Sequence, residues 1–72
     1  MVNINKLKGK IIEKGLNVSE LAMLIGINKA TLYRKLNSKG AAITIKDVDR
    51  IADVLELNSD EVNSIFFSQN VS

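Results

Sequence analysis

The apolar positions recur at intervals of three and four residues from one end of the chain to the other, which predicts helices rather than strands. Ile4, Leu7 and Ile11 stand at i, i+3 and i+7, with Ile12 beside them, and give a first amphipathic helix over about residues 4–14. Gly15 follows as a C-terminal breaker and leaves Leu16 to plug the core between helices. Asn17-Val18-Ser19-Glu20 reads as a capping box, Asn with Glu three residues on. It opens a second helix over about residues 18–25, with Leu21 and Ile25 inward and Ala22 and Leu24 on their flanks. Gly26 stops that helix, Ile27 anchors the turn, and Asn28 caps a third helix over about residues 29–37, whose buried stripe is Leu32 and Leu36. Asn37-Ser38-Lys39-Gly40 is a loop by composition. Ala41 to Ile45 reads as extended, too short and solitary for a sheet. Thr44 with Asp47 caps a fourth helix over about residues 45–56, built on Val48, Ile51, Ala52 and Leu55 and ended by Leu57. Asn58-Ser59-Asp60-Glu61 caps a fifth, with Val62, Ile65 and Phe66 inward, and the polar tail over about residues 68–72 is expected to fray.

The expectation is an all-α, compact five-helix domain spanning 1–72, one domain because 72 residues do not suffice for two cores. Composition narrows the function. There is no His and no Cys, which removes the usual general base and the commonest metal ligands, and no Gly-rich phosphate loop is present. Asp47, Asp49, Asp53, Asp60 and Glu61 fall at cap and surface positions that account for them without catalysis. A binding domain with no cofactor and no metal is expected, not an enzyme. No apolar run nears the roughly 20 residues of a membrane span. The N-terminal MVNINKLKGK is basic with no apolar stretch behind it, so a cytoplasmic location is expected.

Charge is unevenly placed. Residues 1–40 carry eight Lys or Arg against two carboxylates, a balance of +6, while residues 41–72 carry two against six, a balance of −4. The first half suits an anionic partner, the second a solvated or protein-facing surface, although ordinary solvated helix faces would give the same split. The central segment is more specific. Two short helices flank a tight Gly turn over about residues 18–37. Leu21 packs inward, Ala22 is small where the third helix crosses, Gly26 turns the chain, Ile27 pins the turn, and Leu32 and Leu36 bury the third helix. That set of spacings is a helix-turn-helix.

The stretch ELAMLIGINKATLYRKLN, followed by a short loop and two acidic amphipathic helices, resembles the Cro/CI-type (xenobiotic-response-element) helix-turn-helix family of phage repressors over about residues 4–67. The ending DVDRIADVLELNSDEVNSIFF resembles the tail of short Cro-like proteins from prophages of Gram-positive bacteria. The resemblance implies a domain of the lambda-repressor-like fold, acting in the cytoplasm of a bacterial host in a lysis–lysogeny switch opposite a CI-type repressor. It also implies that the third helix enters the major groove with Lys29, Ala30, Thr31 and Arg34 towards the bases. Arg and Lys match the acceptors of guanine, and Thr or Ala can meet the thymine methyl. Asn17, Ser19, Tyr33, Asn37, Ser38 and Lys39 would then lie along phosphates. Each has a plainer alternative: solubility charges for Lys29, Arg34 and Lys39, helix caps for Asn17 and Asn28, a cover for the core edge for Tyr33.

Two features depart from the family pattern. Members commonly carry Gln at the first position of the second helix, where it braces the third helix and touches phosphate; this chain has Val18. Met23 falls about 200° from Leu21 on the helical wheel and is expected to face solvent. Exposed Val18 and Met23 beside the basic edge suit a protein partner, with Lys29, Tyr33 and Arg34 sharing that face. Phe67 is expected either to be exposed, as a dimer contact or latch, or to join Phe66 in the core. Two functions compete: a modulator that binds a CI-type repressor and changes its operator binding, and an autonomous dimeric repressor that binds double-stranded operator DNA.

Overall fold

The computed structural model describes residues 2–38 and 41–67, and among them every regular element is a helix: α1 (Ile4–Glu13), α2 (Val18–Ile25), α3 (Lys29–Asn37), α4 (Ile45–Leu55) and α5 (Ser59–Phe66). Each begins at a side chain that accepts a hydrogen bond from a first-turn backbone N–H. The caps are Asn3, Asn17, Asn28, Thr44 and Asn58. Three of them form full capping boxes, Asn17 with Glu20, Thr44 with Asp47 and Asn58 with Glu61. A chain with short helices depends on such caps, because eight to eleven residues barely sustain a helix alone.

The exits of α1, α2 and α4 repeat one device. A residue in the left-handed region (Gly15 at φ 75°, Gly26 at φ 81°, Glu56 at φ 55°) is followed by an apolar residue whose N–H donates back across five residues. Leu16 donates to Ile11, Ile27 to Ala22 and Leu57 to Ala52, at 3.0, 3.0 and 2.9 Å. This is the Schellman arrangement, and each apolar residue then packs on the core. Gly26 adopts its positive φ at no steric cost, whereas Glu56 carries a Cβ into it.

α2 is the hub, packing on α1, α3 and α4, while α5 closes the bundle against α1 and α4. The core holds Leu7 and Ile11 of α1, Leu21, Ala22 and Ile25 of α2, and Leu32 and Leu36 of α3, then Val48, Ile51 and Leu55 of α4 and Ile65 and Phe66 of α5. Asn3 N–H donates to Ile65 O at 2.7 Å, and Lys6 and Lys10 of α1 reach Ser64 and Glu61, which fastens α1 to α5.

Four expectations are corrected. Val18 is half-buried and packs on the core. It stands at i with Leu21, Ala22 and Ile25 at i+3, i+4 and i+7, so periodicity places it on the inward stripe. Ile12 is 73% exposed, because the inward stripe of α1 runs through Leu7 and Ile11 and no element among the described residues covers its flank. Asp47 is a cap but not a surface residue: it is 7% exposed and paired with Lys35. Residues 41–44 form a turn and the α4 cap rather than an extended segment, with Ala41 N–H donating to Ser38 O and Ala42 N–H to Ser38 Oγ. The tail over 68–72 lies outside the described residues.

Candidate nucleic-acid interface

The α2–α3 pair is held from three sides. Ala22 is 1% exposed, and α2 packs directly on α3. Arg50 of α4 donates from its guanidinium to Ile25 O at 3.3 Å, satisfying a carbonyl at the open C-terminal end of α2 beside the turn. Lys35 of α3 donates to Asp47 Oδ2 at 2.6 Å and to Ala42 O at 3.3 Å, which ties the last turn of α3 to the start of α4. Neither Arg50 nor Lys35 stood out in the sequence, because their partners lie 25 and 12 residues away.

Asp47 is where electrostatics is most local. Burial pushes its carboxyl up, but the Lys35 ammonium and the Thr44 N–H at 3.0 Å outweigh it and hold the group below its ordinary value. At the other end of the bundle, the Lys10 ammonium and the Asn58 N–H hold the Glu61 carboxyl down, and Glu61 and Glu13 raise Lys10 in return.

With Leu32 and Leu36 inward, α3 turns Arg34 directly outward, flanked by Ala30 and Asn37. Lys29, Ala30, Arg34 and Asn37 are exposed, Tyr33 is 46% exposed, and Thr31 is half-buried on the shoulder that leads to Lys35. The residues expected to face the bases therefore share one helix, but Thr31 stands aside from the centre of its outward face. Ion pairing divides the cations. Lys10, Lys14 and Lys35 are engaged by carboxylates, whereas Lys8, Lys29 and Arg34 form no ion pair among the described residues. The N-terminus of α3 has no acid in its first turn, so Lys29 sits at an uncompensated positive helix end.

The expected phosphate contacts are placed less uniformly. Asn17 is committed to its capping box, its Oδ1 accepting from Glu20 N–H at 2.8 Å and its own N–H donating to Glu20 Oε1 at 3.1 Å. Ser19 is half-buried. The Ser38 hydroxyl donates to Lys35 O at 2.6 Å and accepts from Ala42 N–H, so it shapes the loop. Lys39 lies outside the described residues. On the outer side of α2, Met23 is 72% and Leu24 55% exposed, and Phe67, just beyond α5, is 48% exposed while Phe66 is buried.

Comparison with known families matches the chain over residues 6–67 to the model of the Cro/C1-type HTH DNA-binding domain. The chain belongs to that family. No curated protein and no solved structure matches it significantly. Membership in the Cro/C1-type family makes the chain a DNA-binding helix-turn-helix domain and its general role that of a transcription regulator. The family is one of DNA-binding modules rather than of enzymes. Among the described residues no helix is long and apolar enough to cross a membrane.

Proposed function

We propose that this Cro/C1-type domain is a regulator in a phage lysis–lysogeny switch that binds a CI-type repressor and modulates that repressor's operator binding. In size and sequence it resembles the modulator of repression of temperate lactococcal phages. The observation that carries the reading is the exposure of Met23 and Leu24, 72% and 55%, side by side on the helix that precedes the recognition helix. Two neighbouring large apolar side chains on that surface match a protein better than a phosphate backbone. Val18, where the family places Gln, brings no side-chain hydrogen-bond donor to the same helix. The repressor's DNA-binding surface is a productive target, since covering it alters operator occupancy.

A second reading, an autonomous operator-binding dimer in the cytoplasm of the host, is favoured by Lys29 and Arg34, exposed and without ion pairs among the described residues on α3. Phe67 would then supply dimer contact. A labelled operator duplex, titrated with this protein alone, with the full-length repressor alone and with both, separates the two. The modulator reading expects weak binding alone and a displaced repressor curve in the mixture, and Met23→Glu with Leu24→Glu expects the displacement to vanish. Tight, salt-sensitive binding by the protein alone, with an unmoved repressor curve, rejects it.

A further inference from the structure

We infer that the partner-binding surface extends off the helix-turn-helix onto α1, through an apolar groove that receives a bulky apolar side chain from an acidic segment of the repressor. The inference rests on the repressor reading above and deepens it. The groove, about 220 Å³, runs between α1, the α1–α2 turn, the start of α2 and the flank of α3. Ile11, Ile12, Leu16, Val18 and Tyr33 line it, together with Asn17 and the exposed Lys8.

Three observations point to its occupant. Ile12 is 73% exposed on the flank of a helix otherwise polar away from its inward stripe, and the fold makes no use of it. No residue lining the groove is acidic, and Lys8 at its edge forms no ion pair among the described residues. An apolar slot with a free cation at its rim is complementary to an apolar side chain flanked by carboxylates. Tyr33 belongs both to the groove and to the exposed flank of α3, so groove and recognition helix form one continuous surface. A nucleic-acid strand is the poorer occupant. The Glu20 carboxylate closes the nearby start of α2 by accepting from Asn17 N–H, and Lys8 is the one cation among the lining residues.

The test is a binding titration of fluorescently labelled full-length CI-type repressor of the same phage with wild-type protein, Ile12→Asp, Lys8→Glu and Arg34→Glu. Ile12 is exposed, so Ile12→Asp should retain the wild-type circular dichroism and melting temperature. The inference expects Ile12→Asp to weaken repressor binding at least tenfold and Lys8→Glu severalfold. Wild-type affinity in both, with loss only in Arg34→Glu, overturns the groove while leaving the repressor reading intact. No repressor binding by the wild-type protein overturns both. The same variants are run against a labelled operator duplex and in sedimentation without partner. If Ile12→Asp weakens only duplex binding, or only dissolves a self-associated form, the occupant is DNA or a second copy and the inference fails.

Discussion

The Lys35 ammonium lies 2.6 Å from Asp47 Oδ2, bridging the last turn of α3 and the first turn of α4. Both side chains are mostly withdrawn from solvent, 19% and 10% exposed, so the pair is stronger than a surface ion pair and costlier to break singly. Lys35→Met leaves a nearly buried carboxylate with Thr44 as its remaining partner; Asp47→Asn keeps the Thr44 N–H hydrogen bond and loses the charge. Urea denaturation should therefore show about 1–3 kcal/mol lost in each, Lys35→Met the larger. The double variant should lose less than the sum. Strict additivity would mean the two side chains do not act on each other.

The same pair sets the acid response. The Asp47 carboxyl is lowered from its ordinary 3.8, and Glu61 from 4.5, so both bind protons more readily unfolded than folded. Their contribution is complete above the ordinary carboxylate range and fades as pH falls through the lowered folded values. Thermal melts from about pH 6 down to pH 2 should show stability falling below about pH 4. Asp47→Asn should be less stable at neutral pH and should fall less steeply on acidification. Parallel acid limbs for wild type and Asp47→Asn would remove Asp47 from the cause.

Glu56 and Gly26 make an opposed pair of backbone predictions. Both sit at positive φ after a helix, 55° and 81°. Glu56→Gly relieves the Cβ strain and gives up only an exposed contact to Lys14 at 3.6 Å, so it should stabilise the domain by up to about 1 kcal/mol. In a domain of this size that raises the melting temperature by about 4–8 °C per kcal/mol. Gly26→Ala imposes strain at the turn between α2 and α3 although the space around it is open, and should destabilise by about 1–2 kcal/mol. Differential scanning calorimetry of the two variants reads both signs.

These positions also mark what the sequence made legible. The caps at Asn17, Asn28, Thr44 and Asn58, the inward stripes and the Gly26 turn were all readable, because capping and periodicity act within one or two helical turns. The core from Leu7 to Phe66 follows from those stripes alone. Val18 was misplaced because comparison with the family's Gln outweighed its own spacing to Leu21, Ala22 and Ile25. The Lys35–Asp47 and Arg50–Ile25 contacts were invisible, since they depend on how α3 and α4 are brought round by the loop. The groove at Ile12 was equally hidden: it exists only where α1, α2 and α3 leave a gap, and no local pattern encodes a gap. Local patterns thus gave α1 as a helix but not the gap beside it.

Lys29 and Arg34 offer a final prediction that separates the chemistry of the two faces. Both are exposed on α3 and neither forms an ion pair among the described residues, so a nearby phosphate gains the full attraction of each. The logarithm of duplex affinity should fall linearly with the logarithm of salt concentration, and each charge bound to a phosphate adds about one unit to the slope. Lys29→Ala, at the end of α3, should lower the slope by about one whatever the duplex sequence. Arg34→Ala, at the centre of the outward face, should instead lose discrimination between operator and scrambled duplex, by about 1–3 kcal/mol if it reads a guanine. Met23→Glu with Leu24→Glu should leave the contacts of α3 intact while removing the effect on the repressor. Fluorescence anisotropy at three salt concentrations reads all of these. An unchanged slope and unchanged discrimination in both α3 variants would mean that α3 does not enter the groove of DNA, and that the cations of this helix are used on the repressor instead.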